Sequence, residues 1–147
     1  MVNWYRVDHV GVAHEDTRRA LAVPFNGEFP IQQIKVLTLK NDSILGNHYH
    51  RYRELFYILR NRQGRVPGVV YYLQNIKTGE TAEVILKTGD RLIIEPFVAH
   101  AARLGRDVIT IEASEESYVS PEHNDVHHEM ISPILDKKKP GRKPRAK

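Results

Sequence analysis

The amino-acid sequence predicts one all-β domain, a sandwich or barrel, and three observations carry that prediction. Between residues 31 and 114, short apolar runs rich in Val, Ile, Leu and Tyr recur, separated by Gly, Asn and Asp. That is the pattern of strands joined by tight turns. Helical periodicity of useful length is absent, with Glu15–Leu21 the one candidate helix. A length of 147 residues fits a single domain. A chain of that size buries roughly two-thirds of its unfolded surface, so it needs no disulfide or metal merely to fold. The sequence has no cysteine, which excludes disulfides, iron–sulfur clusters, thiolate zinc sites and cysteine nucleophiles.

The elements follow in order. Residues 1–30 read as an N-terminal segment that packs on the barrel, with Trp4 and Tyr5 as its anchor. Ile31–Leu39 alternates loosely and is rich in β-branched residues, which favour a pleated surface. Ile44–Tyr52 follows the turn residues Asn41, Asp42 and Ser43, and Leu55–Leu59 is a compact apolar run. Pro67–Leu73 precedes a turn at Asn75–Gly79, and Thr81–Leu86 precedes one at Lys87–Asp90. Arg91–Glu95 and Asp107–Ala113 complete the set, giving a domain over 31–132. No repeat with a period of 20–50 residues is visible, and no run of about 18 apolar residues exists to span a membrane. The N-terminus lacks the charged-then-apolar pattern of a secretory signal, so the expected location is cytoplasmic.

The net charge of +4 is unevenly placed. Residues 137–147 hold seven basic side chains and no acid, which leaves 15 basic against 18 acidic side chains in residues 1–136. The globular part is therefore slightly acidic. The segment 133–147 reads as a disordered basic tail, because so charged a stretch has too little apolar surface to order itself. Such a tail suits nucleic-acid phosphates, although a solvated tail with no specific partner is the plainer expectation.

The most informative stretch is Gly46-Asn47-His48-Tyr49-His50-Arg51-Tyr52-Arg53-Glu54. Alternation along one strand puts His48, His50, Tyr52 and Glu54 in a row, and a turn before Glu54 still allows barrel curvature to bring its carboxylate back. His100 follows downstream, after Pro96. Imidazole nitrogen and carboxylate oxygen together suit a first-row divalent ion, so His48, His50, Glu54 and His100 are the candidate ligands for one Zn, Fe, Mn or Ni ion. The plainer alternative is that these are hydrogen-bonded polar residues of a barrel lumen.

In this stretch and the one around Gly89, Pro96 and His100, the sequence resembles the cupins. Their first motif is a glycine, then His-x-His and a glutamate; their second is a glycine, a proline and a later histidine. Gly46, His48, His50 and Glu54, then Gly89, Pro96 and His100, match in order, although the glycine usual between Glu54 and the next strand is displaced to Gly64. The resemblance covers about residues 30–115 and implies a jelly-roll barrel with these residues facing its lumen. Within the cupins, the run from Gly46 to Leu59 is most similar to nucleotide-sugar isomerases and epimerases of capsular-polysaccharide and deoxysugar synthesis. Some of those enzymes use a similar set of histidines without metal. The resemblance also implies a homodimer.

The expected chemistry is proton transfer next to the carbonyl of a 4-keto-6-deoxyhexose. His48 or His50 would act as general base, since a neutral imidazole titrates near about 6.5. The enediolate oxygen would be met by the metal, by Tyr52 or by His100. Arg60, Arg91 and Arg103 are candidates to hold the diphosphate of a nucleotide sugar, because guanidinium pairs with phosphate through two bonds. Tyr57, Tyr71 and Tyr72 are candidates to stack on base or sugar, although strand aromatics are more commonly core. Two other readings remain open at this point. One is a metal-dependent cupin of another type, such as a dioxygenase; the other is a non-catalytic small-molecule-binding module. The polar run around His123, His127, His128 and Glu129 reads as an exposed loop.

Overall fold

A computed structural model describes residues 3–61, 68–128 and 130 of the chain. The basic tail 133–147, Gly64 and Glu129 lie outside the described residues. Twelve strands and one short helical turn make up the described part. In chain order the strands are β1 (Tyr5–His9), β2 (Val12–Glu15), β3 (Ala20–Ala22), β4 (Gln33–Thr38), β5 (Ser43–Tyr49) and β6 (Glu54–Arg60). They continue with β7 (Val69–Asn75), β8 (Thr81–Ile85), β9 (Asp90–Ile94), β10 (Val98–Leu104), β11 (Ile109–Ser114), the turn α1 (Pro121–Asn124) and β12 (Val126–His127).

Two antiparallel five-stranded sheets face each other. One runs β1-β9-β6-β11-β4 and the other β12-β5-β10-β7-β8. The main core lies between them: Phe56, Ile58, Leu92 and Ile94 from the first sheet meet Val69, Tyr71, Leu73 and Leu104 from the second. Side chains alternate faces along each strand, so β6 sends Phe56 and Ile58 inward and Leu55 and Tyr57 outward. The outward pair is covered by Phe25, Phe29 and Ile31. Nearly every strand read from the sequence appears here within a few residues. Residues 1–30 are more than a covering, since β1 pairs with β9 along the edge of the first sheet.

Three departures have physical reasons. The candidate helix at Glu15–Leu21 is instead the β2–β3 hairpin, whose turn is held by Asp16: its carboxylate accepts the backbone N–H groups of Arg18 and Arg19. β10 gave no alternating signal because both its faces are buried: His100, Ala102 and Leu104 face one way, while Ala99 and Ala101 pack with Met130 on the other. The row His48–Glu54 is not one strand. β5 ends at Tyr49, residues 50–53 turn, and β6 begins at Glu54 in the opposite sheet.

A bulge in β5 aligns the site. His48 pairs with His100, yet Gly46 pairs with Ala101, so one partner step on β10 spans two residues on β5. Gly46 (φ 100°) and Asn47 (φ 61°) absorb the extra residue in left-handed conformations. A side chain at Gly46 would also place its Cβ 2.5 Å from the His100 carbonyl oxygen. Gly46→Ala is therefore expected to cost about 2–3 kcal/mol in urea unfolding. It should also separate His48 from His100, which loss of divalent-ion or sugar binding in the folded variant would report.

Candidate functional site

Between the sheets lies a cavity of about 340 Å³, walled by Leu37, Leu45, Phe56, Ala102 and Leu104 and by the polar side chains of Lys35, His48, Glu54, His100 and Glu112. The two sheets supply different parts. His48 and His100 come from β5 and β10, Glu54 from β6, and Lys35 and Glu112 from the cross-strand pair of β4 and β11. A second cavity, also about 340 Å³, lies beyond His48 between the Gly46–Asn47 bulge and residues Pro121, Glu122 and Asp125.

The expected histidine–glutamate set converges. Ring centroids of His48 lie 4.7 Å from His50 and 4.8 Å from His100. Glu54 Oε2 stands 3.2 Å from His50 Nε2 and 3.7 Å from His100 Nε2. His50, Glu54 and His100 are buried, while His48 keeps about a quarter of its side chain exposed. Burial is the first cause of the shifts that follow. It lowers the affinity of His48, His50 and His100 for a proton, most of all at His100, where the neighbouring imidazoles add to it. It pushes the Glu54 carboxyl up to about 8, with the Glu112 charge adding and Lys35 opposing. At neutral pH the cluster thus holds uncharged imidazoles, the form that accepts a proton or a metal.

Tyr52 is placed differently from expectation. It is not a wall of either cavity; its ring stacks on His50 at 4.8 Å and its hydroxyl accepts from Asn124 Nδ2. Its pKa is pushed up to about 12 by burial. The arginines are not brought to the cavity. Arg103 is exposed on the face of β10 opposite His100, and Arg60 ends β6 six residues, roughly 20 Å, from Glu54. Arg91 is on the outer face of the first sheet, where its guanidinium binds Asp8 through two bonds (2.8 and 2.6 Å) as well as Glu28 and the Pro24 carbonyl. An arginine so occupied ties the N-terminal segment to the sheet. Arg91→Met is expected to lower stability by about 1–2 kcal/mol and to leave ligand affinity at the cavity unchanged in a calorimetric titration.

Three functional candidates escaped the sequence reading. Lys35 faces the cavity from an otherwise uncharged strand, 3.1 Å from Glu112, and that lone charge within Gln33–Thr38 was the available signal. Asn124 and Asp125 belong to the run read as an exposed loop. Asn124 is instead buried with its carbonyl 2.8 Å from His50 Nδ1, and Asp125 carboxylate oxygens lie 3.7 and 3.6 Å from Nδ1 of His48 and His50. The segment is held because β12 pairs with β5 and His128 Nε2 meets Gln74 Oε1 at 2.9 Å.

One observation suits a divalent ion as well as a proton. His50 Nδ1 lies against a carbonyl, which can only accept, so Nδ1 carries the hydrogen and Nε2 is a lone pair. It faces Glu54 Oε2, a buried oxygen with no hydrogen-bond partner among the described residues. Two lone pairs 3.2 Å apart between buried side chains call for a proton or a cation between them. Ligand nitrogens of His48, His50 and His100 lie within 4.8 Å of one another, a slight closure away from the roughly 3–3.5 Å between neighbouring ligands on one ion.

No protein-family model and no curated protein matches the sequence. Solved structures do match in fold. One is a histidine-to-asparagine mutant of the 3,4-ketoisomerase QdtA of Thermoanaerobacterium thermosaccharolyticum in complex with TDP-4-keto-6-deoxyglucose, with a TM-score of 0.68 and 16% identity over 87% of this chain and 90% of that one. Another is ChmJ, a 3′-monoepimerase of Streptomyces bikiniensis in complex with dTDP-quinovose, with a TM-score of 0.73 and 15% identity over 98% and 81%. A dTDP-4-dehydrorhamnose 3,5-epimerase of Bacillus anthracis with TDP and pyrophosphate bound matches at a TM-score of 0.70 and 14% identity over 98% and 90%. The chain has the cupin fold. Within that jelly roll, β5 carries His48, β10 His100 and β6 Glu54, while His50 lies just beyond the end of β5.

Proposed function

We propose that this cupin-fold chain is an enzyme that moves a proton next to the carbonyl of a keto sugar carried on a nucleotide, giving an isomer or epimer. The observation that supports it most is the placing of His48, Glu54 and His100 together on a cavity between the sheets. Solved structures of this fold named above hold TDP-4-keto-6-deoxyglucose and dTDP-quinovose, both sugars carried on a nucleotide and the first of them a keto sugar. A proton on the carbon beside a carbonyl is acidic enough for a neutral imidazole to remove, and His48 is the histidine with access to both cavities. The negative charge that develops on the carbonyl oxygen meets the uncharged donors of the cluster or the Lys35 ammonium. Returning the proton to a different carbon isomerises the sugar; returning it from the other face epimerises it. Lys35, the cation among the described cavity-lining residues, would also stand nearest to an entering diphosphate. A divalent ion, held by His48, His50, Glu54 and His100, would supply Lewis-acid stabilisation of that oxygen.

The orphaned Glu54 oxygen also favours a second reading, a metal-dependent cupin of another reaction type, an oxygen-using one included. One experiment separates the two. The protein is incubated with TDP-4-keto-6-deoxyglucose in deuterated water, and in parallel with ferrous ion in an oxygen electrode. Deuterium entering the ring supports the first reading. No exchange, with the sugar recovered unchanged, overturns it.

A further inference from the structure

We infer that Asn124 is a positioning residue of this cluster: its carbonyl decides which nitrogen of His50 carries the hydrogen and so presents His50 to Glu54 as a lone pair. The inference rests on the cluster being the reacting centre, and it concerns a residue that touches neither cavity.

A neutral imidazole has one N–H and one lone pair, and whatever bonds to one nitrogen selects the role of the other. The bond from His50 Nδ1 to the Asn124 carbonyl is 2.8 Å, short and buried. The other two imidazoles have no comparable anchor among the described residues. His48 Nδ1 is 3.7 Å from Asp125, and His100 Nδ1 is 3.4 Å from the Val98 carbonyl.

Asn124 is itself immobilised. It is 3% exposed, and its amide meets four partners. Oδ1 accepts from the backbone N–H of Val119 (2.7 Å) and Ser120 (3.2 Å). Nδ2 donates to the Ser117 carbonyl (3.1 Å) and to the Tyr52 hydroxyl (3.2 Å). That exhausts the bonding capacity of an amide. Through Tyr52, stacked on the imidazole with 15° between the rings, the same residue also fixes the face of His50. One residue therefore holds the edge through its main-chain carbonyl and the face through its side-chain amide, and the Nε2 lone pair cannot turn away. His50 serves as base or ligand, and the donor role falls to other groups. Residues beyond a cluster that fix a histidine tautomer in this way commonly govern its affinity for cations and protons.

The test is spectroscopic and needs no substrate, so failure of the proposed reaction leaves it intact. The full chain is labelled with ¹⁵N-histidine and stripped of metal by a chelator. Long-range proton–nitrogen spectra are recorded at about pH 7.5, with His50 assigned from the spectrum of His50→Gln. The expected result is His50 with hydrogen on Nδ1 alone; a ring protonated on Nε2 overturns the inference. In Asn124→Asp, the acceptor bonds from Val119 and Ser120 persist while the donors to Ser117 and Tyr52 are lost. His50 should then show a mixture of tautomers with His100 unchanged. The main-chain carbonyl is still present in that variant, so a tautomer still purely Nδ1–H would overturn the part of the inference that gives the Asn124 side chain the holding of that carbonyl. If the variant does not fold, the wild-type spectrum decides alone.

Discussion

Between about pH 6.5 and 8 the metal-free protein is expected to lose about 2 kcal/mol of stability, and Glu54→Gln is expected to abolish that loss. The signs follow from two opposing sets of groups. Glu54 has its folded pKa raised from 4.5 to about 8, so the folded state holds a proton that the unfolded state has released. Its contribution is fully present below pH 4.5 and is lost as pH rises to about 8. His48, His50 and His100 have folded values lowered from 6.5, so their contribution is lost on acidification and is complete above pH 6.5. Below pH 6.5 the two trends oppose each other; above it only the Glu54 trend remains, over roughly 1.5 units at about 1.4 kcal/mol each. Urea unfolding at half-unit intervals measures it directly. A divalent ion in excess should reverse the slope, since an ion takes up the deprotonated carboxylate and its affinity rises with pH. At a hundred times its dissociation constant such an ion adds about 2.7 kcal/mol. A flat profile in the wild-type protein, or a Gln variant with the same fall, would show that Glu54 does not carry this proton.

The sequence made the strands and the histidine–glutamate set legible because both are local patterns. Val, Ile and Tyr runs between Gly–Asp turns announce strands wherever one face meets a core, and His48-x-His50 followed by Glu54 needs only chain order. β10 was hidden for the opposite reason: alanines packed on both faces leave no alternation to read. The place of the arginines could not be read because a strand alternates, and a guanidinium near a lumen residue is inside or outside according to register alone. Arg103 lies one residue beyond Ala102, and Arg91 one before Leu92, so both point away from the lumen. Lys35 lies inside by the same rule, two residues before Leu37. Asn124 was least visible. Its role arises from a turn 74 residues away from His50 in the chain, docked through β12 on β5, and nothing in Pro121–Asn124 itself announces that contact.

Replacing His48 by Asn is expected to slow deuterium uptake into TDP-4-keto-6-deoxyglucose by roughly 10² to 10⁴, the range a positioned general base contributes. His48 is the choice over its neighbours for reasons of access. His50 is enclosed between Tyr52 and Glu54, and His100 is buried, whereas His48 faces both cavities. Burial lowers its pKa below 6.5, so the wild-type exchange rate should rise with pH on the acid side and level off above about 6.5. Asp125→Asn should cost far less, because at 3.7 Å its carboxylate orients the His48 ring without a direct bond. Melting curves and divalent-ion titrations of each variant, run beside the exchange assay, separate a lost base from a lost ligand. If His48→Asn exchanges at the wild-type rate while Glu54→Gln does not, the base is the carboxylate. In that case the proton enters and leaves from the β6 side of the cavity, and the histidines of β5 and β10 serve to hold the substrate oxygen or the ion.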